Sequence, residues 1–253
     1  MVENCPRIEP DRLFDGRLIL HQPEGGHRIG TDAILLIASA PPLERGLIVD
    51  VGAGTGAVGL ALAQTRARAE VVLLEKNPLA AAFARQNVSA NALSDRVRVI
   101  EADLFDAATR KAQALVEAAD LVVTNPPFLR ADQSRISPDS DRAMAHMLDE
   151  GGIEKWLRAS LALLRSGGYF VAIHRADALD ALLAAFGGRI GGLEILPVFP
   201  RQGEKAIRVI LRGRKGAKTP LSLLQGLVLH GADGRFTPQV EDIHRRGRPL
   251  FEH

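Results

Sequence analysis

The sequence of 253 residues contains a single cysteine, Cys5, so the chain cannot form an intramolecular disulfide. A lone thiol in a chain of this length is typical of a reducing compartment, which excludes a secreted disulfide scaffold. The first residues include acids and prolines, whereas a signal peptide needs a basic start and an apolar run. The longest apolar stretches, 33–38 and 57–63, are much shorter than the roughly 20 residues of a membrane-spanning helix. The sequence therefore predicts a soluble, cytoplasmic protein.

Motifs of several enzyme classes are also missing. The seven histidines do not share zinc-ligand spacing with each other or with Cys5, so we predict no bound metal. There is no GxSxG nucleophile elbow. Residues 213–219, GRKGAKT, superficially resemble a phosphate-binding loop, but Ala217 separates Gly216 from Lys218 and no helix pattern follows. The chemistry of the protein must therefore come from other motifs.

The composition is ordinary for a globular protein, with 46% hydrophobic and 25% charged residues and a net charge of +2. The basic charge is nevertheless concentrated, because residues 201–218 contain seven basic residues against one acid, Glu204. The seven are Arg201, Lys205, Arg208, Arg212, Arg214, Lys215 and Lys218. Such a cluster indicates either contact with phosphates or an edge strand whose charges discourage aggregation.

Between about residues 47 and 212, short runs rich in Val, Ile and Leu alternate with helix-like segments, which is typical of a parallel sheet covered by helices. The predicted strands are 47–51, 70–74, 97–101, 121–124, 169–174, 193–199 and 206–211. The last two are joined by PRQGEK, which is too short for a crossover helix, so they should form an antiparallel hairpin. The clearest helices are 33–39, with Thr31 or Asp32 as N-cap, and 153–164. The predicted fold is α/β, with a doubly wound, mostly parallel, seven-stranded sheet.

The chain is accordingly divided into three parts. Residues 1–46 form an N-terminal extension, residues 47–212 form the α/β domain, and residues 213–253 form a basic C-terminal tail. The tail has low periodicity and many turn formers, so it is expected to be flexible around residues 212–215.

The first strand leads directly into Gly52-Ala-Gly54-Thr-Gly56 and then into a helix pattern. Glycine allows a sharp bend there and lets a ligand approach the amides at the helix N-terminus. The loop fits S-adenosylmethionine or NAD and does not choose between them. Glu75 ends the next strand about 20 residues later, where its two oxygens can accept hydrogen bonds from both hydroxyls of a ribose.

Polar residues follow the next two strands as well. Asp103 can accept from the exocyclic amino group of an adenine, or it can cap a following helix. The fourth strand is followed by Asn125-Pro126-Pro127-Phe128. The carbonyls of Asn125 and Pro126 can each accept an N–H hydrogen bond, and Phe128 can stack on a planar ring. Two acceptors on an aromatic amine direct its lone pair at a methyl sulfonium, and no strong general base is required because the nitrogen becomes acidic as it gains the methyl group.

The motifs DVGAGTG, LLEKN, EADLF and TNPPF resemble the successive motifs of class I S-adenosylmethionine-dependent methyltransferases that modify amino groups. More narrowly, HRIGTDAILL, RAMAH and VFPRQGEKAIRVILRGRKG are similar to segments of the bacterial tRNA1(Val) adenine-37 N6-methyltransferase family. The resemblance covers nearly the whole chain. It implies a Rossmann-like methyltransferase fold, S-adenosylmethionine as cofactor, S-adenosylhomocysteine as product, and N6-methyladenine in tRNA as the modified base.

The resemblance also implies roles for individual residues. The glycine loop would be shaped by Asp50, Gly52, Gly54 and Gly56. Glu75, with Lys76 beside it, would bind the ribose, and Asp103 with Leu104 would flank the adenine of the cofactor. The N-terminal extension would contribute Gly30, Thr31 and Asp32 over the methionine end. The target amine would be held by the catalytic residues Asn125, Pro126, Pro127 and Phe128, with Asn125 also beside the cofactor. Phe128 stands where Tyr is more usual in the family, which keeps the stacking face.

RNA, specifically tRNA, is the expected partner, and neither a membrane nor a metal is expected. Arg212, Arg214 and Lys215 are candidate phosphate ligands. Arg130 and Arg142 are candidates for lining the mouth through which a flipped adenine would enter. The NPPF-type motif also occurs in enzymes acting on rRNA guanine, DNA adenine or protein glutamine, and a small-molecule O-methyltransferase would share the glycine loop. These substrates remain alternatives.

Overall fold

The computed structural model describes residues 10–23, 29–127 and 152–251. The strands in these ranges are β1 (Asp11–Leu13), β2 (Leu18–Leu20), β3 (Arg45–Val51), β4 (Arg68–Glu75), β5 (Val97–Glu101), β6 (Ala119–Thr124), β7 (Leu164–Arg175), β8 (Ile190–Phe199), β9 (Arg208–Lys215), β10 (Ser222–Leu223) and β11 (Leu227–Val228). The α-helices are α1 (Thr31–Ser39), α2 (Ala57–Thr65), α3 (Pro78–Ala90), α4 (Ala107–Ala112), α5 (Gly152–Leu161), α6 (Leu179–Phe186) and α7 (Pro238–Arg246).

In the described part of the chain, β3 to β11 form one nine-stranded sheet in the order β10-β8-β9-β7-β6-β3-β4-β5, with β11 also paired to β8. The five strands β7, β6, β3, β4 and β5 are parallel, and β9 is antiparallel to both of its neighbours, β7 and β8. The chain winds outward from β3 to β5 and then continues from β6 on the other side of β3, so the sheet is doubly wound. The fold class and the terminal hairpin are confirmed. The predicted count of seven strands omits β10 and β11, which have two residues each and show no readable period.

Apolar side chains cover both faces of the sheet, because successive residues of a strand point to opposite sides. Ile48 of β3 joins a cluster with α1, α2 and α3. Val49 and Val51, which point to the other face, join a second cluster with α5 and α6. Burial on both faces explains why the central strands are almost continuously apolar in sequence.

Two helices differ from the prediction at their ends. The N-cap of α1 is Gly30, without a side-chain cap, so the expectation that Thr31 or Asp32 caps it is wrong. The Asp32 carboxylate is instead paired with Arg208. Helix α5 ends at Leu161 rather than Leu164, because Leu164 already lies opposite Ala119 in the sheet.

The parts of the chain that flank the predicted α/β domain contain regular elements. Strands β1 and β2 form an antiparallel pair, and Leu18 and Leu20 are buried in the cluster around α1 to α3. Helix α7 places Val240 and Ile243 in the same cluster. The segment after residue 212 is therefore more regular than its low periodicity suggests. No helix in the described ranges is both long enough and apolar enough to cross a bilayer.

Candidate active site

The carboxyl ends of the parallel strands meet at one edge of the sheet, where the strand order reverses between β3 and β6. Val51 of β3 lies opposite Thr124 of β6, and Glu75 of β4 lies opposite Glu101 of β5. Doubly wound sheets bind their ligands in the crevice outside such a reversal. The polar residues noted in the sequence follow these strand ends.

The glycine loop, residues 52–56, connects β3 to α2. Gly52 N and Ala53 N both donate to Leu74 O of β4, at 2.9 and 3.1 Å. Gly54 has a φ of +56°, in the left-handed region that favours glycine. A Cβ added to Gly54 would meet no atom within 4 Å, so this position borders open space. The loop leaves room for a ligand against its backbone.

Glu75 is fixed at the end of β4 by two backbone amides. Its Oε2 accepts a hydrogen bond from Gly54 N at 2.8 Å, and its Oε1 accepts one from Asn77 N at 2.7 Å. Each carboxylate oxygen keeps a further lone pair. A carboxylate held in this way is suited to accept hydrogen bonds from two adjacent hydroxyl groups.

Asp50 lies in β3 below the glycine loop and is 2% exposed. Its Oδ2 accepts a hydrogen bond from Gly59 N of α2 at 2.9 Å. Burial raises the pKa of Asp50 to about 7, and the nearby charge of Glu75 acts in the same direction, while the Gly59 hydrogen bond opposes both. Asp50 therefore joins β3 to α2 and holds the loop between them.

Asp103 lies after β5, next to Lys76. Lys76 Nζ is 2.7 Å from Asp103 Oδ2, and Phe105 N donates to Asp103 Oδ1 at 2.9 Å. Burial alone would raise the pKa of Asp103, but these two partners lower it overall, so the carboxyl is charged at neutral pH. Helix α4 is capped by Asp106, so Asp103 is not an N-cap. Leu104 is buried in the cluster that contains α5.

Trp156 of α5, a residue to which the sequence assigns no functional role, also belongs to this edge of the sheet. Its Nε1 donates to Thr124 Oγ1 at 3.0 Å, and its ring meets Phe105 edge to face, with 6.3 Å between centroids. Gly52 has a φ of +71°, and a Cβ added to it would lie 3.0 Å from Trp156 Cζ2, so the backbone conformation and the indole both favour glycine there. Trp156 thus fixes the glycine loop relative to the end of β6. The available signal was that this is the single tryptophan of the chain, and a buried indole N–H needs an acceptor.

Asn125 follows β6 directly. Its Oδ1 is shielded from solvent, and no residue in the described part of the chain donates a hydrogen bond to it. A buried carbonyl oxygen without a donor costs on the order of 1–3 kcal/mol unless a ligand supplies the donor. The next two residues, Pro126 and Pro127, have no backbone N–H. The site therefore offers hydrogen-bond acceptors to an amino group. Phe128 lies outside the described residues.

Asp32, predicted to lie over the methionine end of the cofactor, is near the N-terminus of α1. Its Oδ2 is 2.8 Å from Arg208 Nε, and both side chains are mostly buried. Arg208 lies opposite Arg175 at the carboxyl end of β7, so the ion pair holds the start of α1 at the edge that carries the site. Thr31 is partly buried beside it. Arg208 was missed in this role because 176 residues separate it from Asp32.

The predicted phosphate ligands on β9 are not brought to this edge. Because β9 is antiparallel to β7, Arg208 lies at the site edge, whereas Arg214 lies opposite Tyr169, toward the other end of β7. Arg212 and Lys215 also follow Arg208 in the direction away from the site. The expectation that Arg212, Arg214 and Lys215 lie in a flexible segment is wrong, since all three belong to β9.

Their side chains make contacts within the protein. Arg212 is 7% exposed, is 2.7 Å from Glu194 Oε2, and stacks on Phe251 at 3.8 Å from the ring centroid. Lys215 Nζ donates to Leu164 O at 2.6 Å and to Leu161 O at 3.2 Å. These contacts hold strands and helices together. Arg130 and Arg142 lie outside the described residues. In the described ranges no group of three His, Cys, Asp or Glu side chains is placed to hold a metal ion.

Comparison with known proteins agrees with the geometry. Residues 26–176 match the family model described as methyltransferase small domain. A protein of Porphyromonas gingivalis named tRNA1(Val) (adenine(37)-N6)-methyltransferase is 32% identical over 221 residues, which cover 84% of this chain and 85% of the relative. A protein of Aeromonas hydrophila with the same name is 34% identical over 217 residues, with 83% and 85% covered. The crystal structure of a predicted O-methyltransferase from Agrobacterium tumefaciens has a TM-score of 0.71 and 34% identity, and the match covers 88% of this chain and 99% of that one.

The family model and the relatives identify the chain as an S-adenosylmethionine-dependent methyltransferase. The doubly wound sheet, the glycine loop after β3, the carboxylate of Glu75 at the end of β4 and the acceptor site after β6 fit this class. The chain belongs to the methyltransferase small domain family and to the group of its tRNA1(Val) (adenine(37)-N6)-methyltransferase relatives.

Proposed function

We propose that this enzyme transfers a methyl group from S-adenosylmethionine to the exocyclic N6 of an adenine in tRNA, with S-adenosylhomocysteine as the product, and that it acts in the cytoplasm. The observation that carries the proposal is the shielded Asn125 Oδ1, which has no donor among the described residues. An exocyclic amine supplies such a donor. The names of the relatives supply the tRNA and the adenine.

The residues present fit the cofactor. The glycine loop borders open space at Gly54, and Glu75 beside it, held by two backbone amides, would accept hydrogen bonds from the two ribose hydroxyls. The charged Asp103 is placed after the adjacent strand, where it can accept from an adenine amino group. When bound, S-adenosylmethionine supplies an electrophilic methyl group on a sulfonium.

The residues after β6 orient the nucleophile. An adenine amino group is a weak nucleophile because its lone pair is delocalised into the ring. When Asn125 Oδ1 and Pro126 O accept hydrogen bonds from its two N–H groups, they favour a tetrahedral nitrogen and aim the lone pair out of the ring plane. The nitrogen becomes acidic as it is methylated, so its proton can pass to water, and we assign no general base. Phe128 is proposed to stack on the adenine.

Other substrates make different demands on the site. The structural relative from Agrobacterium tumefaciens is described as a predicted O-methyltransferase. A hydroxyl substrate has one hydrogen and is activated by a base or a cation, whereas Asn125 and Pro126 offer neutral acceptors. An rRNA base or a protein glutamine would present an amino group to the same acceptors. The following experiment distinguishes these substrates from tRNA.

The test is methyl transfer from labelled S-adenosylmethionine to total tRNA, total rRNA, protein extract and a catechol in parallel, followed by nucleoside analysis of labelled RNA. We expect label in tRNA, recovered as N6-methyladenosine. Label in rRNA, protein or catechol instead would overturn the proposed substrate, whereas the assignment of S-adenosylmethionine as the cofactor would stand.

The base position is tested with a tRNA1(Val) transcript and a matched transcript in which adenine 37 is replaced by guanine. This position comes from the names of the relatives. We expect methylation of the first transcript and none of the second. Equal methylation of both would place the target adenine elsewhere in the molecule.

A further inference from the structure

Helix α3 and the residue that follows it provide two asparagines one turn apart, Asn87 and Asn91, that pair with the backbone of β2 and of the residue just after it. Asn91 Oδ1 accepts from Ile19 N at 2.9 Å, and Asn91 Nδ2 donates to Ile19 O at 2.7 Å. Asn87 makes the same pair with His21, two residues further along the chain and just after the end of β2. Its Oδ1 accepts from His21 N at 2.7 Å, and its Nδ2 donates to His21 O at 3.0 Å.

The spacing explains why the two amides can act as an added strand edge. Residues four apart in a helix are separated by about 6 Å along its axis. Residues two apart in a strand, whose amides point the same way, are separated by about 6.6 Å. The two side-chain amides therefore match the backbone of residues 19 and 21.

Asn87 differs from Asn91 in the destination of its second N–H bond. Asn87 Nδ2 also donates to Thr55 O at 2.9 Å, inside the glycine loop. Asn91 Nδ2 donates instead to Asn87 O of the preceding helical turn, at 2.8 Å. Asn87 is completely buried, so water does not compete for these bonds. One amide thus holds the glycine loop, helix α3 and the segment that precedes α1.

We propose that Asn87 is a positioning residue for the cofactor loop. The carbonyl that it binds belongs to the peptide between Thr55 and Gly56, and Gly56 is the left-handed N-cap residue of α2, with a φ of +90°. Fixing that carbonyl fixes the direction in which the loop turns into the helix, and hence the backbone of Gly54 that borders the ligand space. This inference rests on the proposed role of residues 52–56 in binding S-adenosylmethionine.

The three contacts require an amide at this position. Two carbonyl oxygens, of His21 and Thr55, need donors, and His21 N needs an acceptor. Asparagine supplies two N–H bonds and one oxygen from a single planar group. Aspartate keeps the acceptor and loses both donors, and alanine loses all three contacts.

The test compares Asn87→Ala and Asn87→Asp with the matched control Asn91→Ala. Affinity for S-adenosylhomocysteine is measured by calorimetry, the melting temperature by circular dichroism, and the exchange of amide hydrogens in residues 52–60 by mass spectrometry. Binding is measured at a temperature where every variant is folded. We expect all three variants to melt at a lower temperature, because each leaves a backbone group of Ile19 or His21 without its partner.

The variants are expected to differ in the loop. Asn87→Ala and Asn87→Asp should weaken binding of S-adenosylhomocysteine by about ten-fold and accelerate exchange in residues 52–60. The loss of one hydrogen bond to the loop corresponds to about a ten-fold change in an equilibrium constant. Asn91→Ala should bind within about two-fold of the wild type and leave that exchange unchanged. Equal effects of Asn87→Ala and Asn91→Ala on ligand binding, wild-type binding by both Asn87 variants, or failure of both to fold would overturn the proposal. If the wild type does not bind the ligand, the proposed function fails, and faster loop exchange in the Asn87 variants still reports the contact with Thr55.

Discussion

At the residue scale, the side-chain oxygen of Asn125 is the group on which the proposed chemistry depends. Asn125→Ala removes an acceptor that is unused by the described residues, so it should leave the fold and the cofactor site nearly intact. We expect the turnover number for methyl transfer to fall about 100-fold or more, the size typical of losing one positioned transition-state contact. The dissociation constant for S-adenosylhomocysteine should stay within about three-fold of the wild type.

Asn125→Asp is the matched variant, because it keeps an acceptor oxygen at the same place. It should retain more activity than Asn125→Ala. A loss of cofactor affinity as large as the loss of turnover would contradict the role assigned to Asn125.

Asp50 makes stability depend on pH in a defined direction. Its pKa in the folded protein is raised to about 7, above the ordinary value of 3.8. Between these two values the folded state holds a proton that the unfolded state releases, so the free energy of unfolding decreases as pH rises from about 4 to about 7. The substitution Asp50→Asn keeps an acceptor for Gly59 N and removes the titration.

Urea denaturation of the wild type and of the Asp50→Asn variant measures this effect. The variant should gain stability relative to the wild type as pH rises through that range, with a slope of up to about 1.4 kcal/mol per pH unit. A difference between the two proteins that is constant from about pH 4 to about pH 8 would show that Asp50 does not carry a raised pKa.

The residues that could be predicted are those that a strand end places by itself. Glu75, Asp103 and Asn125 each follow an apolar run, and the carboxyl ends of parallel strands share one edge. Residues whose role depends on a distant partner could not be predicted. Asp32 meets Arg208, and Asn87 meets His21 and Thr55, through contacts that depend on the order and register of the sheet.

At the element scale, strands and helices were predicted where their periodic segments are long. The five parallel strands and the antiparallel hairpin follow from apolar runs and from one connection that is too short for a helix. Strands β1, β2, β10 and β11 and helix α7 were missed. The helix has apolar residues at two buried positions, Val240 and Ile243, within a strongly charged sequence, so its pattern is weak. Tertiary packing, rather than periodicity, supports these elements.

Helix α7 provides a test of that packing. Ile243 is 1% exposed in the main apolar cluster, so Ile243→Ala should lower the free energy of unfolding by about 2–5 kcal/mol. The control is Leu223→Ala in β10, where the leucine is 70% exposed and the change should stay within about 0.5 kcal/mol. Denaturant titration of both variants measures the difference. Similar stability for the two variants would show that α7 is not packed on the core.

At the scale of the whole molecule, the register of β9 divides the basic segment between two edges of the sheet. The loop before β9 carries Lys205 at the edge where the parallel strands end, two strands from β6, which corresponds to about 10 Å. The residues after β9 carry Lys218 at the opposite edge, beside the start of β8. The eight residues of β9 separate these edges by about 25 Å. A phosphate next to a nucleotide held at Asn125 would therefore lie closer to Lys205 than to Lys218.

Charge reversal separates local contact from general attraction. Lys205→Glu and Lys218→Glu change the net charge equally and both replace exposed side chains, so their effects on long-range attraction to RNA should be similar. A phosphate contact near the target nucleotide adds a local term for Lys205 alone. We expect Lys205→Glu to raise the KM for tRNA about three- to ten-fold more than Lys218→Glu, and to reduce the slope of log affinity against log salt concentration by about 1. Methyl transfer and filter binding at several salt concentrations measure both quantities. Equal effects of the two substitutions would mean that the basic segment acts through its overall field, and a larger effect of Lys218→Glu would place the RNA across the opposite edge of the sheet.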